Sequence, residues 1–154
     1  MNSDPRTLEA RRFWVLIGQV NHGLYRARTN ELRPLGIPMM HSEALWALKV
    51  LGRPASPAEI GRMLSRRHQT VSQLLRRMEK QGLVELGKSP HKRGQLEVKL
   101  TARGEEVVSL AWENEKVVAE ILSSLSPEEQ SNLMTYLERL REKAIALASL
   151  PDFP

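Results

Sequence analysis

The sequence contains no cysteine, which removes several chemistries at once. A disulfide framework, a thiol nucleophile, a cysteine-based redox switch and a Cys-ligated zinc are all excluded. The absence also favours a reducing, cytoplasmic setting. Aromatic residues are scarce: three Trp, two Tyr and two Phe. Uninterrupted apolar runs are short, such as Phe13 to Ile17, so no membrane span is expected. The opening Met-Asn-Ser-Asp-Pro-Arg lacks the basic-then-apolar order of a secretion signal. There is no glycine-rich phosphate loop, no Ser-His-Asp spacing and no metal motif. The histidines, His22, His41, His68 and His91, are scattered without metal-ligand spacing, so neither a metal nor another cofactor is expected. Glu105-Glu106 and Glu128-Glu129 fall near predicted helix starts, where acids complement the helix dipole without any catalytic role. No residue is therefore assigned to catalysis, and an enzyme is not expected.

What is present is charge, unevenly divided over 154 residues with an overall net charge of +5. Residues 1–61 carry eight basic and five acidic side chains. Residues 62–103 carry eleven basic and three acidic, whereas residues 104–154 carry four basic and ten acidic. A middle third at +8 beside a tail at −6 points to a local polyanion site rather than a general basic coat. A solvated surface with uneven charge is the bland alternative, and other features must separate the two.

Hydrophobic periodicity predicts a mainly helical chain with one β-hairpin. Asp4-Pro5 supplies a cap and a first helical residue, and Phe13, Leu16, Ile17, Val20 and Leu24 follow at helical spacing. This helix runs to about Leu32, where Arg33 to Pro38 breaks it. A second helix spans roughly Met40 to Leu51, with Ala44, Leu45, Leu48 and Leu51 in phase. Ser56-Pro57-Ala58-Glu59 reads as a capping box with proline at the first helical position, opening a short helix with Ile60, Met63 and Leu64. A fourth helix covers about His68 to Gln81, with Val71, Leu74, Leu75 and Met78 on one face and Gly82 as its left-handed terminator. Two short adjacent helices, the second with a polar and basic outer face, suggest a helix-turn-helix. Strands follow at Leu83 to Leu86 and at Gln95 to Leu100, around a loop, Gly87 to Gly94, with three basic residues. Thr101 caps a fifth helix that continues through Val107, Val108, Ala111, Val118, Ile121 and Leu122. Ser126-Pro127-Glu128-Glu129 opens a sixth, with Leu133, Leu137, Leu140, Ala144 and Leu147 in phase.

The stretch Thr70-Val-Ser-Gln-Leu-Leu-Arg-Arg-Met-Glu-Lys-Gln-Gly-Leu-Val84, followed by Lys92-Arg93-Gly94 and Leu100-Thr101-Ala102-Arg103-Gly104, resembles the MarR family of bacterial transcription regulators. The resemblance extends over nearly the whole chain, because six helices with a hairpin after the fourth is that family's order. It implies a winged helix-turn-helix lobe at residues 37–103. Residues 1–36 and 104–154 would form a helical dimerisation region, since relatives pair through their first, fifth and sixth helices. It also implies a homodimeric, double-stranded DNA-binding regulator, most often a repressor, with a small aromatic or phenolic effector.

Residue chemistry supports the nucleic-acid reading. The face of the fourth helix opposite its apolar stripe carries Gln69, Ser72, Gln73 and Arg76, types that match base edges in a major groove; Thr70 and Arg77 flank them, placed for phosphates. The segment Ser65-Arg66-Arg67-His68 puts cations where relatives often have a capping Ser or Asp. Cations there oppose the helix dipole unless a phosphate sits at that end, although Ser65 is an alternative cap. In the hairpin, Arg93 matches the wing-tip arginine of the family, with Lys88 and Lys92 placed for phosphates. Relatives commonly carry Asp-x-Arg there; this chain has His91-Lys92-Arg93 and no acid in the loop, which favours phosphate contact over base reading. Candidate effector contacts are His22, His41 and Trp46. The tryptophan is out of phase with its helix's apolar stripe, so it lines a pocket or packs on the first helix. A protein-interaction module and a sequence-independent DNA binder with the same fold are the alternatives.

Overall fold

The structure is a computed structural model that describes residues 4–90 and 94–148. Helix α1, Pro5–Leu32, starts at Asp4, whose carboxylate accepts from the Arg6 amide. It ends in a 3-10 turn, Arg33–Leu35, closed by Gly36 at φ 66°. Helix α2, Met39–Leu51, supplies the buried Ala44, Leu45, Ala47 and Leu48. Helix α3, Pro57–Met63, opens with both arms of the expected capping box: the Glu59 amide donates to Ser56 Oγ at 3.2 Å and the Ser56 amide donates to Glu59 Oε2 at 2.8 Å. Helix α4, His68–Lys80, buries Val71, Leu74, Leu75 and Met78, the expected face. These residues, with Ile60, Val84, Val98 and Val108, form the main core.

Helix α4 ends in a Schellman arrangement. The Leu83 amide donates to Met78 O and the Gly82 amide to Glu79 O, with Gly82 at φ 71°. Because its amide is used there, Leu83 lies outside the first strand, which is β1, Val84–Lys88, shifted from the expected Leu83 to Leu86. Strand β2, Leu96–Leu100, pairs antiparallel in the register Val84 with Leu100 through Lys88 with Leu96. A second tie comes from Ala55, whose amide donates to Val98 O at 3.0 Å while Val98 donates back at 2.8 Å. The hairpin is thus sewn to the residue preceding the α3 cap.

Thr101 joins the hairpin to helix α5, Ala102–Glu113. Its Oγ1 accepts from the Gly104 amide at 3.0 Å and donates to Gly82 O at 2.6 Å. A Cβ at Gly104 would stand 2.0 Å from Leu83 O, so only glycine lets α5 start this close to the end of α4. That contact explains the spacing between Thr101 and Gly104.

The expected fifth helix is not continuous. It stops at Glu113, and helix α6, Val117–Leu122, begins after a short break. The cause lies 85 residues away, in α1. Arg28, 5 % exposed, donates to Ala111 O at 2.8 Å and pairs with Glu31 at 2.7 Å. Glu31 then accepts from the Lys116 and Val117 amides at 2.8 and 3.0 Å, supplying the cap that α6 lacks locally. Burial pushes the Glu31 carboxyl up, but the Lys116 amide and Arg28 outweigh it and hold it below the usual value. Helix α7, Pro127–Ala148, has its capping box too, with the Ser126 amide donating to Glu129 Oε2 at 2.8 Å. It buries none of its residues in the single chain.

Candidate nucleic-acid interface

The polar face of α4, the N-terminus of α3 and the hairpin enclose an open groove of about 500 Å³. His68, Gln69, Ser72, Gln73 and Arg76 line one wall. The buried stripe of α4 faces inward, so these side chains are turned outward by helical geometry alone. His68 Nε2 and Ser72 Oγ approach to 3.5 Å, one turn apart. Other lining residues were not named as DNA contacts from sequence, among them Pro57 and Ala58 at the start of α3 and Gln95 just before β2. The signal for Gln95 is slight, a single amide beside the glycine that closes the loop.

The N-terminus of α4 carries no side-chain cap. Arg67 occupies the cap position with extended backbone, and the first turn holds no acid. Ser65 does not substitute for it. Its φ is 51°, and its amide donates to Arg62 O to close α3. The free amides of this turn and the adjacent Arg66 and Arg67 leave an electropositive end.

The remaining candidates do not all share the groove. Thr70 is exposed, and Lys88 is exposed at the end of β1. Arg77 projects toward α2, where its charge reaches His41; burial, then Arg77, holds that imidazole below its usual value. Arg66 lies 4.0 Å from Glu43 of α2. Lys92 and Arg93, with His91, fall outside the described residues.

A second cavity, about 430 Å³, lies where α1, α2, the end of α3 and the α5–α6 break meet. Trp46 lines it, together with Tyr25 and Trp112. His22 is exposed on α1 and His41 is buried in α2; neither is among the lining residues. Glu43 does line it and was not anticipated, although it is the sole acid in α2.

Two regions leave apolar side chains in solvent. On α1 these include Phe13, Trp14 (77 % exposed), Leu16 and Val20; on α7 they include Tyr136, Leu137, Leu140 and Leu147. No described helix is long and apolar enough to cross a membrane.

A capped α3, an outward polar face on α4 and a hairpin tied to the start of α3 define a winged helix-turn-helix protein. Residues 35–93 match the model of the MarR family, so this part of the chain is MarR-like in sequence as well as in fold. That match and the winged-helix fold support a DNA-binding transcription regulator. Among solved structures, the organohalide-sensing transcriptional regulator RdhR-CbdbA1625, bound to 2,4-dichlorophenol, is similar at 27 % identity and TM-score 0.81, over 100 % of this chain and 93 % of that one. A mutant MarR from E. coli in complex with operator DNA is similar in fold at 24 % identity and TM-score 0.78, over 90 % and 99 % of the two chains. AbfR bound to DNA aligns at 22 % identity and TM-score 0.72, over 91 % and 96 %. No curated protein sequence matches.

Proposed function

We propose that this chain is a sequence-specific regulator acting as a homodimer on a pseudo-palindromic operator, with its two α4 helices in successive major grooves about 34–36 Å apart. The observation that carries the reading is the outward face of α4, where Gln69, Ser72, Gln73 and Arg76 line an open groove beside an uncapped, electropositive helix end. Gln and Arg are the side chains that pair bidentately with adenine and guanine. Those four residues contact bases. Arg66, Arg67, His68, Thr70 and Arg77 hold phosphates, as do Lys88, Lys92 and Arg93 of the hairpin.

Residues 37–103 act as the DNA-binding lobe, and residues 1–36 and 104–154 as the dimerisation region. Support comes from the apolar faces of α1 and α7, which a second copy would cover. The protein represses by occluding a promoter in the cytoplasm. A small aromatic ligand in the cavity at Trp46 changes the spacing of the two lobes. That step is supported by the cavity's position between the lobes and by the phenol bound to the organohalide sensor.

Selection from a random duplex pool, followed by sequencing, tests the reading. An enriched inverted repeat with half-sites about one turn apart supports it. Binding without enrichment would make the chain a sequence-independent binder. Failure to bind even at low salt would make it an interaction module of the same fold.

A further inference from the structure

The cavity between α1, α2 and the α5–α6 break has an uneven electrostatic lining. Among the described residues that line it, Glu43 and Glu115 are acids and Arg28 is the single base. Arg28 is already committed. Its guanidinium donates to Ala111 O, Asn114 O and Glu31, and lies 3.8 Å from Glu115. It has little left to offer an incoming anion.

Glu43 is in the opposite condition. Its Oε2 is buried and, among the described residues, has no hydrogen-bond partner. The nearest cation, Arg66, stands at 4.0 Å, too far for a hydrogen bond. A buried carboxylate oxygen without a donor is costly, and its burial pushes the carboxyl up against a smaller pull from Arg66. Around it the walls are aromatic and apolar, with Trp46, Trp112 and Met63. Apolar walls with a few polar groups form the usual pattern of a small-molecule site, and here Glu43 Oε2 is, among the described residues, the buried side-chain oxygen left without a donor.

From this geometry we infer that the cavity selects a small aromatic ligand whose polar end donates a hydrogen bond to Glu43 and carries no negative charge. The inference rests on the proposed ligand role of this cavity and narrows it to neutral phenols and aromatic ammonium ions, excluding aromatic carboxylates. A carboxylate head would meet Glu43 and Glu115 with no free cation to offset them. A donor head satisfies the orphaned oxygen and stacks its ring between the tryptophans. It also shares Glu43 with Arg66, whose residue lies in the turn leading into α4. Ligand occupancy is thereby linked to the charge at the start of the reading helix.

Three probes with one ring and three head groups test this: 4-chlorobenzylamine, 4-chlorophenol and 4-chlorobenzoate, titrated calorimetrically into the full chain at neutral pH. The amine and the phenol are expected to bind, each about tenfold or more tighter than the benzoate, the size of a hydrogen bond to a charged group. The amine-to-phenol ratio separates a demand for positive charge from a demand for a donor alone. Glu43→Gln is expected to weaken the amine about tenfold and to narrow its advantage over the benzoate. Arg66→Ala is expected to tighten the amine, because Glu43 then has no competing cation. The head-group order in the unaltered protein is decisive even if a variant folds poorly. Benzoate binding as tightly as the amine and the phenol would overturn this inference while leaving a ligand-binding cavity intact. An undiminished advantage of the amine over the benzoate in Glu43→Gln would do the same. No binding by any probe would overturn both this inference and the ligand role itself.

Discussion

The lobe built from α2, α3, α4 and the hairpin differs sharply from the pair of long helices α1 and α7. In the lobe every in-phase apolar position of α4 is buried, and Ile60, Leu75, Met78 and Val98 are fully enclosed. In the long helices the same kind of periodicity leaves Trp14, Leu16, Leu137 and Leu140 in solvent. Equivalent sequence patterns therefore mean different things. A stripe is buried within its own chain only when the chain also supplies the opposing surface. The lobe supplies nearly all of that surface between Met39 and Leu100, with Val108 of α5 closing it. The long helices find no such surface among the described residues.

The largest effect is expected where this contrast is broken outright. Charging both apolar faces, with Trp14→Glu and Leu137→Glu, should convert a dimer to a monomer in sedimentation velocity and leave far-ultraviolet dichroism of the lobe largely intact. A monomeric parent protein would break the comparison instead. Next comes the seam between lobe and α5. Gly104→Ala should cost about 3 kcal/mol, lowering Tm by roughly 6–12 °C, because its methyl group meets Leu83 O. An unchanged melting curve would mean that α5 can slide. Within the lobe, Arg76→Ala should leave stability alone, relax base preference, and weaken cognate binding by about 1–3 kcal/mol. A uniform loss on all duplexes would reassign Arg76 to phosphate. The smallest effect concerns the α3 cap. Ser56→Ala should cost about 1 kcal/mol in denaturant unfolding. Arg53, then Ser56, hold the Glu59 carboxyl down at about 2. A depressed carboxylate stabilises above its unfolded value, about 4.3, and loses that contribution as pH falls toward 2. The advantage of the parent protein over Glu59→Gln should therefore be full at neutral pH and vanish in strong acid. A constant difference across that range would place the stabilisation elsewhere.

Local signals make the lobe readable from sequence. The capping box at Ser56, the stripe from Val71 to Met78, and Gly82 at positive φ each act within a few residues. The break between α5 and α6 is not readable, since its cap is a glutamate at position 31. Periodicity across Ala111, Val118 and Leu122 continues through the interruption and conceals it. The first strand begins later than its apolar pattern suggests because the Schellman bond of Leu83 competes with strand pairing. On the reading helix, the spacing of polar residues anticipates the groove wall. The second cavity joins four segments distant in sequence, and only Trp46 hints at it. Glu43 gives no signal because a lone acid on an apolar helix looks like solvent-facing charge until its surroundings are known.

The bonds from Arg28 and Glu31 also order events during folding. They span 83 to 86 residues, whereas the hairpin and the α3–α4 pair close over far shorter loops. Long closures are the slow ones. During synthesis Arg28 and Glu31 have only each other until residues 111–117 have been made. Closure of the clasp onto Ala111, Lys116 and Val117 is therefore expected after that of the hairpin and the α3–α4 pair. A single arginine and a single glutamate thus make the α5–α6 break depend on a helix made some eighty residues earlier.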